Sequence, residues 1–221
     1  TLDHLEADPD AYRAIAETLG ETSVFGLTTP SGDIVPTAFR PPLYPYLLSW
    51  AASDGSLNNL LIALFHSILG GLTAGFTYLA GAASLGPTGS RLRGILAALL
   101  VIVDPILIQQ STLVMTETLA TALVSLVIWW WMCHVSRRLT IGSAALLGGC
   151  LALAYLCRPT FVVWTAMLVV CLGRSNVPTE VSRLRRFLAA GVTALVVLVA
   201  ISFWTLRNAS VLQHPIWATS H

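Results

Sequence analysis

Residues 36–50 read PTAFRPPLYPYLLSW, and the placement of this stretch decides the fold. Pro41, Pro42 and Pro45 each hold φ near about −65° and lack a backbone donor, so residues 40–45 cannot be ordinary helix interior. Arg40 stands immediately before the double proline. Behind it, Leu43, Tyr44, Tyr46, Leu47, Leu48 and Trp50 supply apolar bulk and the amphipathic rings of a membrane–water boundary. The plain reading is a linker with an aromatic anchor. The sharper one is a rigid shelf holding a cation at the lip of a bilayer.

Everything after the shelf is apolar in long runs. Of 221 residues, 55% are hydrophobic and 10% charged, and mean hydropathy is +0.75, whereas soluble domains carry about 25% charged residues. Six candidate spans follow at 57–81, 92–109, 113–134, 141–156, 160–172 and 187–205. The fifth is short and begins at Arg158-Pro159, which suits a tilted or partly inserted segment. The expected fold is an all-α, multi-pass membrane bundle with an amphipathic helix lying along its outer face. Residues 1–56 would form an outer loop carrying the site, 57–205 the spans, and 206–221 the start of a further outer segment. The start at Thr1, without Met or a signal-type apolar run, leads us to expect a piece of a longer chain.

All twelve basic residues are Arg. Arg91 and Arg93 follow the first span, Arg137 and Arg138 the third, and Arg174, Arg183, Arg185 and Arg186 the fifth. Positive charge therefore alternates with span number, which places residues 1–56, the 109–112 turn, Arg158 and the tail after Trp204 outside a cytoplasmic (inner) membrane. Net charge is +1, which gives no reason to invoke nucleic acid. Cys133, Cys150, Cys157 and Cys171 lie in apolar runs without a Cys-x-x-Cys pair, so buried thiols are expected in place of zinc ligands or disulfides. His66 and His134 show no ligand spacing, and Trp129–Trp131 mark the inner interface. Gly70-Gly71 and Gly148-Gly149 are expected to allow close helix approach.

The opening segment is acidic, with Asp3, Glu6, Asp8, Asp10, Glu17, Glu21 and Asp33. Within it Asp8-Pro9-Asp10-Ala11-Tyr12 opens a short helix with Tyr12, Ile15, Ala16 and Leu19 on one face, expected to end at Gly20. Two further acids lie inside spans: Asp104 before Pro105, and Glu117 a little over one turn into the third. An ionisable group there costs about 2.5–3.5 kcal/mol on insertion scales and usually faces a cavity or a partner. Both fall on the side of Asp8, Asp10, Arg40, Arg158 and Arg207. Arginine suits a phosphate through its planar fork, and a carboxylate can take the proton of an attacking hydroxyl.

Here a resemblance enters. Asp8, Tyr12, Ile15 and Ala16 in the pattern Asp-x-x-x-Tyr-x-x-Ile-Ala, then Ala-Phe-Arg-Pro-Pro-Leu-Tyr-Pro at 38–45, resemble the first outer loop of GT-C membrane glycosyltransferases. The family 39 kind is the nearest group, with the dolichyl-phosphate-mannose–protein mannosyltransferases and the lipid A aminoarabinose transferase. Met-Thr-Glu-Thr-Leu at 115–119, Cys-Arg-Pro-Thr at 157–160 and Phe-Trp-Thr-Leu-Arg-Asn at 203–208 recur in similar order among bacterial members. The resemblance implies inverting transfer of a sugar from a polyprenyl-phosphate donor to a lipid, glycan or protein acceptor outside the cytoplasm. It assigns the catalytic base to Asp8 and the donor-phosphate contact to Arg40. Asp10 stands beside Asp8 and could be the true base. The Glu that precedes Lys-Pro-Pro in the aminoarabinose enzymes is Phe39 here, which removes one metal ligand. No cofactor and no metal set is expected, although a need for a divalent ion stays open.

Each candidate also has a structural explanation. Asp8-Pro9 has the form of an N-cap followed by proline at the first helical position. Arg40 could be an interfacial anchor, Arg158 at a tight outer turn could merely snorkel, and Asp104 could cap a half-helix interrupted by Pro105. Glu117 and Asp104 are carried as supporting acids, and Arg158 as a second phosphate contact. Arg207 and Asn208 read as structural. The alternatives from other classes are a transporter or flippase subunit, whose acids would line a path through the membrane, and a non-catalytic scaffold.

Overall fold

Apolar backbone in a bilayer has no water to bond, so long hydrophobic runs close their hydrogen bonds internally as helices. The structure, a computed structural model, describes residues 5, 8, 10–53, 55–83, 90–174 and 181–220. Asp3, Glu6 and Pro9 of the acidic segment lie outside the described residues. The described chain runs α1 (Tyr12–Thr22), β1 (Gly26–Thr28), β2 (Ile34–Pro36), α2 (Leu43–Leu48), a 3-10 turn (Ser49–Ala51), β3 (Ala52–Ser53) and β4 (Ser56–Leu57). It continues with α3 (Asn59–Ala83), α4 (Ser90–Ile102), α5 (Pro105–Gln110), α6 (Glu117–Trp130) with a π-turn (Trp131–Val135), α7 (Ile141–Cys157), α8 (Phe161–Arg174) and α9 (Arg183–Leu212). The strands make only two antiparallel hairpins, β1–β2 and β3–β4.

Among the described residues three helices are long and apolar enough to cross a membrane: α3, α6 with its π-turn, and α9. They fall at the first, third and sixth of the six expected spans. The second is broken at Asp104-Pro105 into α4 and α5, because proline cannot continue the helix and its predecessor is extended. Helices α7 and α8 are apolar but have 17 and 14 residues, or about 25 Å and 21 Å against a hydrocarbon core of about 30 Å. Around the bundle large apolar side chains face outward, Leu100 being 71% exposed. Cys171 is exposed among them, against the expectation of a buried thiol, while Cys157 is fully buried.

Helix α3 packs along α4 and α6, α7 along α9, and α8 along α9. Glycines set two of these contacts. A Cβ on Gly94 would come 2.7 Å from the carbonyl oxygen of Tyr78, and one on Gly148 2.9 Å from Cβ of Val196. Gly70, Gly71 and Gly149 meet nothing within 4 Å, so the expectation of close helix approach holds at Gly148 alone of those four.

The described residues up to Asn58 fold as a cap over one end of this bundle, where α3 and α6 start and α7 and α9 finish. Tyr12, Ile15, Ala16 and Leu19 form the buried face of α1, as its spacing predicts. Gly20 does not end the helix, which runs on to Thr22 with Ser23 left-handed. Gly20 is needed instead for proximity, since a Cβ there would sit 2.6 Å from that of Ala52. Arg13 ties the cap down: its guanidinium donates to the carbonyls of Leu5 and Leu57 and to Oδ1 of Asn59, all at 2.8 Å, and pairs with Glu17 at 3.0 Å. Arg207, at the end of α9, donates to the carbonyls of Thr37 and Phe25, and Asn208 to that of Ile216. The tail folds back, with Trp204 donating to Ala218 O and Tyr155 to Trp217 O. The arginines at 91, 93, 137, 138, 174, 183, 185 and 186 gather at the opposite end, where Arg137 donates to Ala83 O.

Two glycine substitutions separate contact from empty space. Gly94→Leu is expected to lower stability by about 1–3 kcal/mol through overpacking. Gly70→Ala is expected to raise it by about 0.5–1 kcal/mol by restraining the unfolded chain. Thermal unfolding of the purified protein in one detergent checks both signs.

Candidate functional site

The shelf is built by its prolines. Pro42 precedes α2, and Pro45 falls in its first turn, where no intrahelical donor is required. Arg40 therefore leaves the chain at a fixed angle, flanked by the ring of Phe39 at 4.4 Å and that of Tyr12 at 5.4 Å. Its Nη2 donates to Oδ1 of Asp10 at 2.5 Å and its Nε to the Asp10 carbonyl at 2.7 Å. The acidic segment and the shelf meet through Asp10. One carboxylate oxygen and the backbone of Asp10 together lock the guanidinium.

Asp8 takes a different position. Its Oδ2 accepts from the amide of Ala14, in the first turn of α1, at 2.9 Å, and its carbonyl accepts from Ala11 N. The residue preceding the helix is Ala11, in a left-handed conformation, so Asp8 caps from three residues further back than a regular N-cap would. Its other oxygen, Oδ1, is enclosed and has no hydrogen-bond partner.

A second acid–arginine pair stands nearby. Glu117 is the first residue of α6, not a turn into a span, because residues 111–116 are used in turns. A carboxylate there is favoured by the helix dipole. Its Oε1 accepts from Nη1 of Arg158 at 3.1 Å, while Oε2 is enclosed without a partner. Glu117 and Arg158 line a cavity of about 340 Å³ with Gln110, Thr121, Leu107 and Phe161. Asp104 is apart from them: its Oδ1 accepts from the amides of Ile106 and Leu107 at 2.8 and 3.1 Å, capping α5 behind Pro105. That is the half-helix cap, and Asp104 does not line the Glu117 cavity.

Between the two pairs lies a buried column that sequence reasoning missed. Tyr12 and Tyr44 meet edge to face at 5.4 Å. The Tyr44 hydroxyl lies 2.8 Å from Nε2 of His66, and Nδ1 of His66 lies 2.8 Å from the carbonyl of Ser111. A carbonyl can only accept, so Nδ1 carries the proton and Nε2 accepts from the phenol. Burial pushes the Tyr44 phenol well above its ordinary value, and the neighbouring Cys157, Tyr12, Glu117 and Asp8 reinforce the shift. Burial also raises Tyr12, against a hydrogen bond with Thr116 that lowers it. Both phenols are therefore neutral donors near pH 7. The available signal was that His66 falls on the buried stripe of α3 with Ile62, Leu69 and Thr73, where a polar group requires a partner.

Among the described residues no three His, Cys, Asp or Glu side chains gather as a metal-binding set. The geometry offers two guanidinium groups, each with an acid, and two carboxylates with an open, enclosed oxygen. No protein-family model, curated protein or solved structure matches this chain.

Tyr44→Phe would leave Nε2 of His66 buried and unpaired. The expected loss is about 1–3 kcal/mol of stability, read by thermal unfolding. The double change Tyr44→Phe with His66→Leu is expected to recover part of it, because both polar partners are then gone.

Proposed function

We propose that this chain carries the site of a membrane glycosyltransferase of the GT-C type, family 39-like, which moves a sugar from a polyprenyl-phosphate donor to an acceptor hydroxyl outside the cytoplasm. The observation that carries the reading is the enclosed, unpartnered Oδ1 of Asp8, on the chain two residues before the Asp10 that holds Arg40. A base must have a free acceptor oxygen: Asp8 keeps one that is enclosed, whereas Asp10 gives one of its two oxygens to the Arg40 guanidinium. Asp8 is thus the stronger candidate of the two, and Asp10 is a positioning residue for Arg40.

In this reaction the acceptor hydroxyl gives its proton to Asp8 Oδ1 as its oxygen attacks the anomeric carbon. The new carbon–oxygen bond forms opposite the breaking bond to phosphate, so configuration inverts, and polyprenyl phosphate leaves. Arg40 and Arg158 receive the charge that develops on the leaving phosphate. The exposed ring of Trp50, 88% accessible, and the shelf suit the headgroup level of a bilayer. The cap would face outward and the arginine-rich end the cytoplasm of an inner membrane.

A transporter or flippase subunit is the second reading, favoured by the helix break at Asp104-Pro105. Against it, the Asp104 carboxylate is occupied by backbone amides and offers a substrate only what capping leaves over.

The test is transfer of radiolabel from a panel of polyprenyl-phosphate sugars by the protein in membranes. Asp8→Asn is expected to lower kcat by about 10²–10⁴-fold. Arg40→Ala should fall comparably, and Asp10→Asn less, with its loss rescued in part by Asp10→Glu. Normal turnover in Asp8→Asn removes the base assigned here, and normal turnover in all three removes the site.

A further inference from the structure

Helix α4 leans on α3 and has little contact with α6, while α5, redirected at the Asp104-Pro105 break, reaches the start of α6. A slot therefore opens between α4 and α6 with α3 as its floor. Gly70 and Gly71 lie in that floor, and neither would bring a Cβ within 4 Å of any atom.

Three cavities lie along the slot and share walls. The first, about 340 Å³, holds Glu117 and Arg158 at the cap end. The second, about 290 Å³, lies over Gly70 and Gly71 and shares Leu107, Gln110 and Thr121 with the first. The third, about 190 Å³, runs on toward Ala80 and Ile128 and shares Thr73, Val101 and Thr121 with the second. Glu117, Thr121, Val124 and Ile128 are one stripe of α6, so the wall is about 16 Å long.

The chemistry changes along that length. Thr73, Thr118 and Thr121 turn their hydroxyls to the carbonyls of Leu69, Gln110 and Glu117, and Ser67 and Ser111 turn theirs to those of Ala63 and Ile108. His66 is held by Tyr44 and Ser111, so the slot below Gln110 is mainly apolar with its polar groups already paired. At the cap end Arg158, its side chain 44% exposed, is half-neutralised by Glu117. Beside it Oε2 of Glu117 and Oε1 of Gln110 are enclosed acceptors without a donor. Each such orphan costs about 1–3 kcal/mol and is relieved by a ligand hydroxyl or amine. A cation and two hungry acceptors at one end, then an apolar trough at the small end of the roughly 300–1,000 Å³ range of ligand cavities, match one chain with a phosphate and hydroxyls at its head. A diacyl lipid would need width for two chains.

We infer that the slot takes the prenyl chain of a prenyl-phosphate-linked sugar, entering sideways from the bilayer between α4 and α6. The phosphate meets Arg158, and sugar hydroxyls donate to Glu117 Oε2 and Gln110 Oε1. The identity of the head rests on the proposed transfer reaction, whereas the amphiphile site rests on the geometry of the slot.

The experiment is photo-crosslinking of the protein in nanodiscs with farnesyl phosphate bearing a diazirine on its chain, run beside diazirine-bearing farnesol and phosphatidylglycerol. Farnesyl phosphate is expected to label residues 101–110 and 121–128, and Gly71→Leu to cut that labelling about tenfold with the melting temperature kept. Gly70→Met is the second filling variant should Gly71→Leu not fold. Arg158→Gln should weaken labelling about tenfold, the effect of one lost charge-assisted contact. Unchanged labelling in a folded filling variant overturns the slot. Equal labelling by farnesol overturns the phosphate contact, and equal labelling by phosphatidylglycerol overturns the prenyl occupant. Asp8→Asn is expected to label normally. Turnover lost there with labelling intact supports both proposals, whereas labelling without any transfer in the unmodified protein sinks the reaction and leaves the slot standing.

Discussion

Two tyrosines hold the cap to the bundle. Tyr12 from α1 and Tyr44 from α2 bury their rings against each other and against Leu119, Leu123 and Cys157 at the bundle end. Burying a ring of this size contributes on the order of 1.5–3 kcal/mol, but the hydroxyls must be met within the protein. His66 and Thr116 meet them, which sets the depth at which α2 and α1 rest. The positions of Asp8, Asp10 and Arg40 follow from that depth, since all three hang on the chain immediately around Tyr12 and Tyr44.

Charge at the cap end is arranged by pairing. Arg13 takes Glu17, Arg40 takes Asp10 and Arg158 takes Glu117. Arg13 is used on structure, with neutral carbonyls around it. Arg40 and Arg158 keep donors that their carboxylates do not use. Asp8 has no ion pair among these three, and its enclosed, unpartnered oxygen distinguishes it chemically from Asp10.

Glycines of the same appearance serve opposite purposes in the bundle. Gly94 and Gly148 mark surfaces that touch, whereas Gly70 and Gly71 mark one that nothing covers. The difference comes from the break at Asp104-Pro105, which carries α5 to α6 and leaves α4 on α3. A continuous second helix could have filled the slot; the interrupted one opens it.

Hydropathy, proline and glycine positions were enough to place the helices, because burial of apolar surface and internal backbone bonding depend on local composition. The buried face of α1, the interruption before Pro105 and the gathering of arginines at one end were all legible in this way. The extents of α7 and α8 were legible to within two residues, whereas α9 runs longer at both ends than its expected 187–205. Partner choice was not legible at all. Arg40 meets Asp10 and not Asp8, His66 finds Tyr44 from 22 residues away, and Gly20 continues a helix because Ala52 presses on it. Each of these is a contact between segments remote in sequence, selected by distances of a few tenths of an ångström that only the packed chain defines.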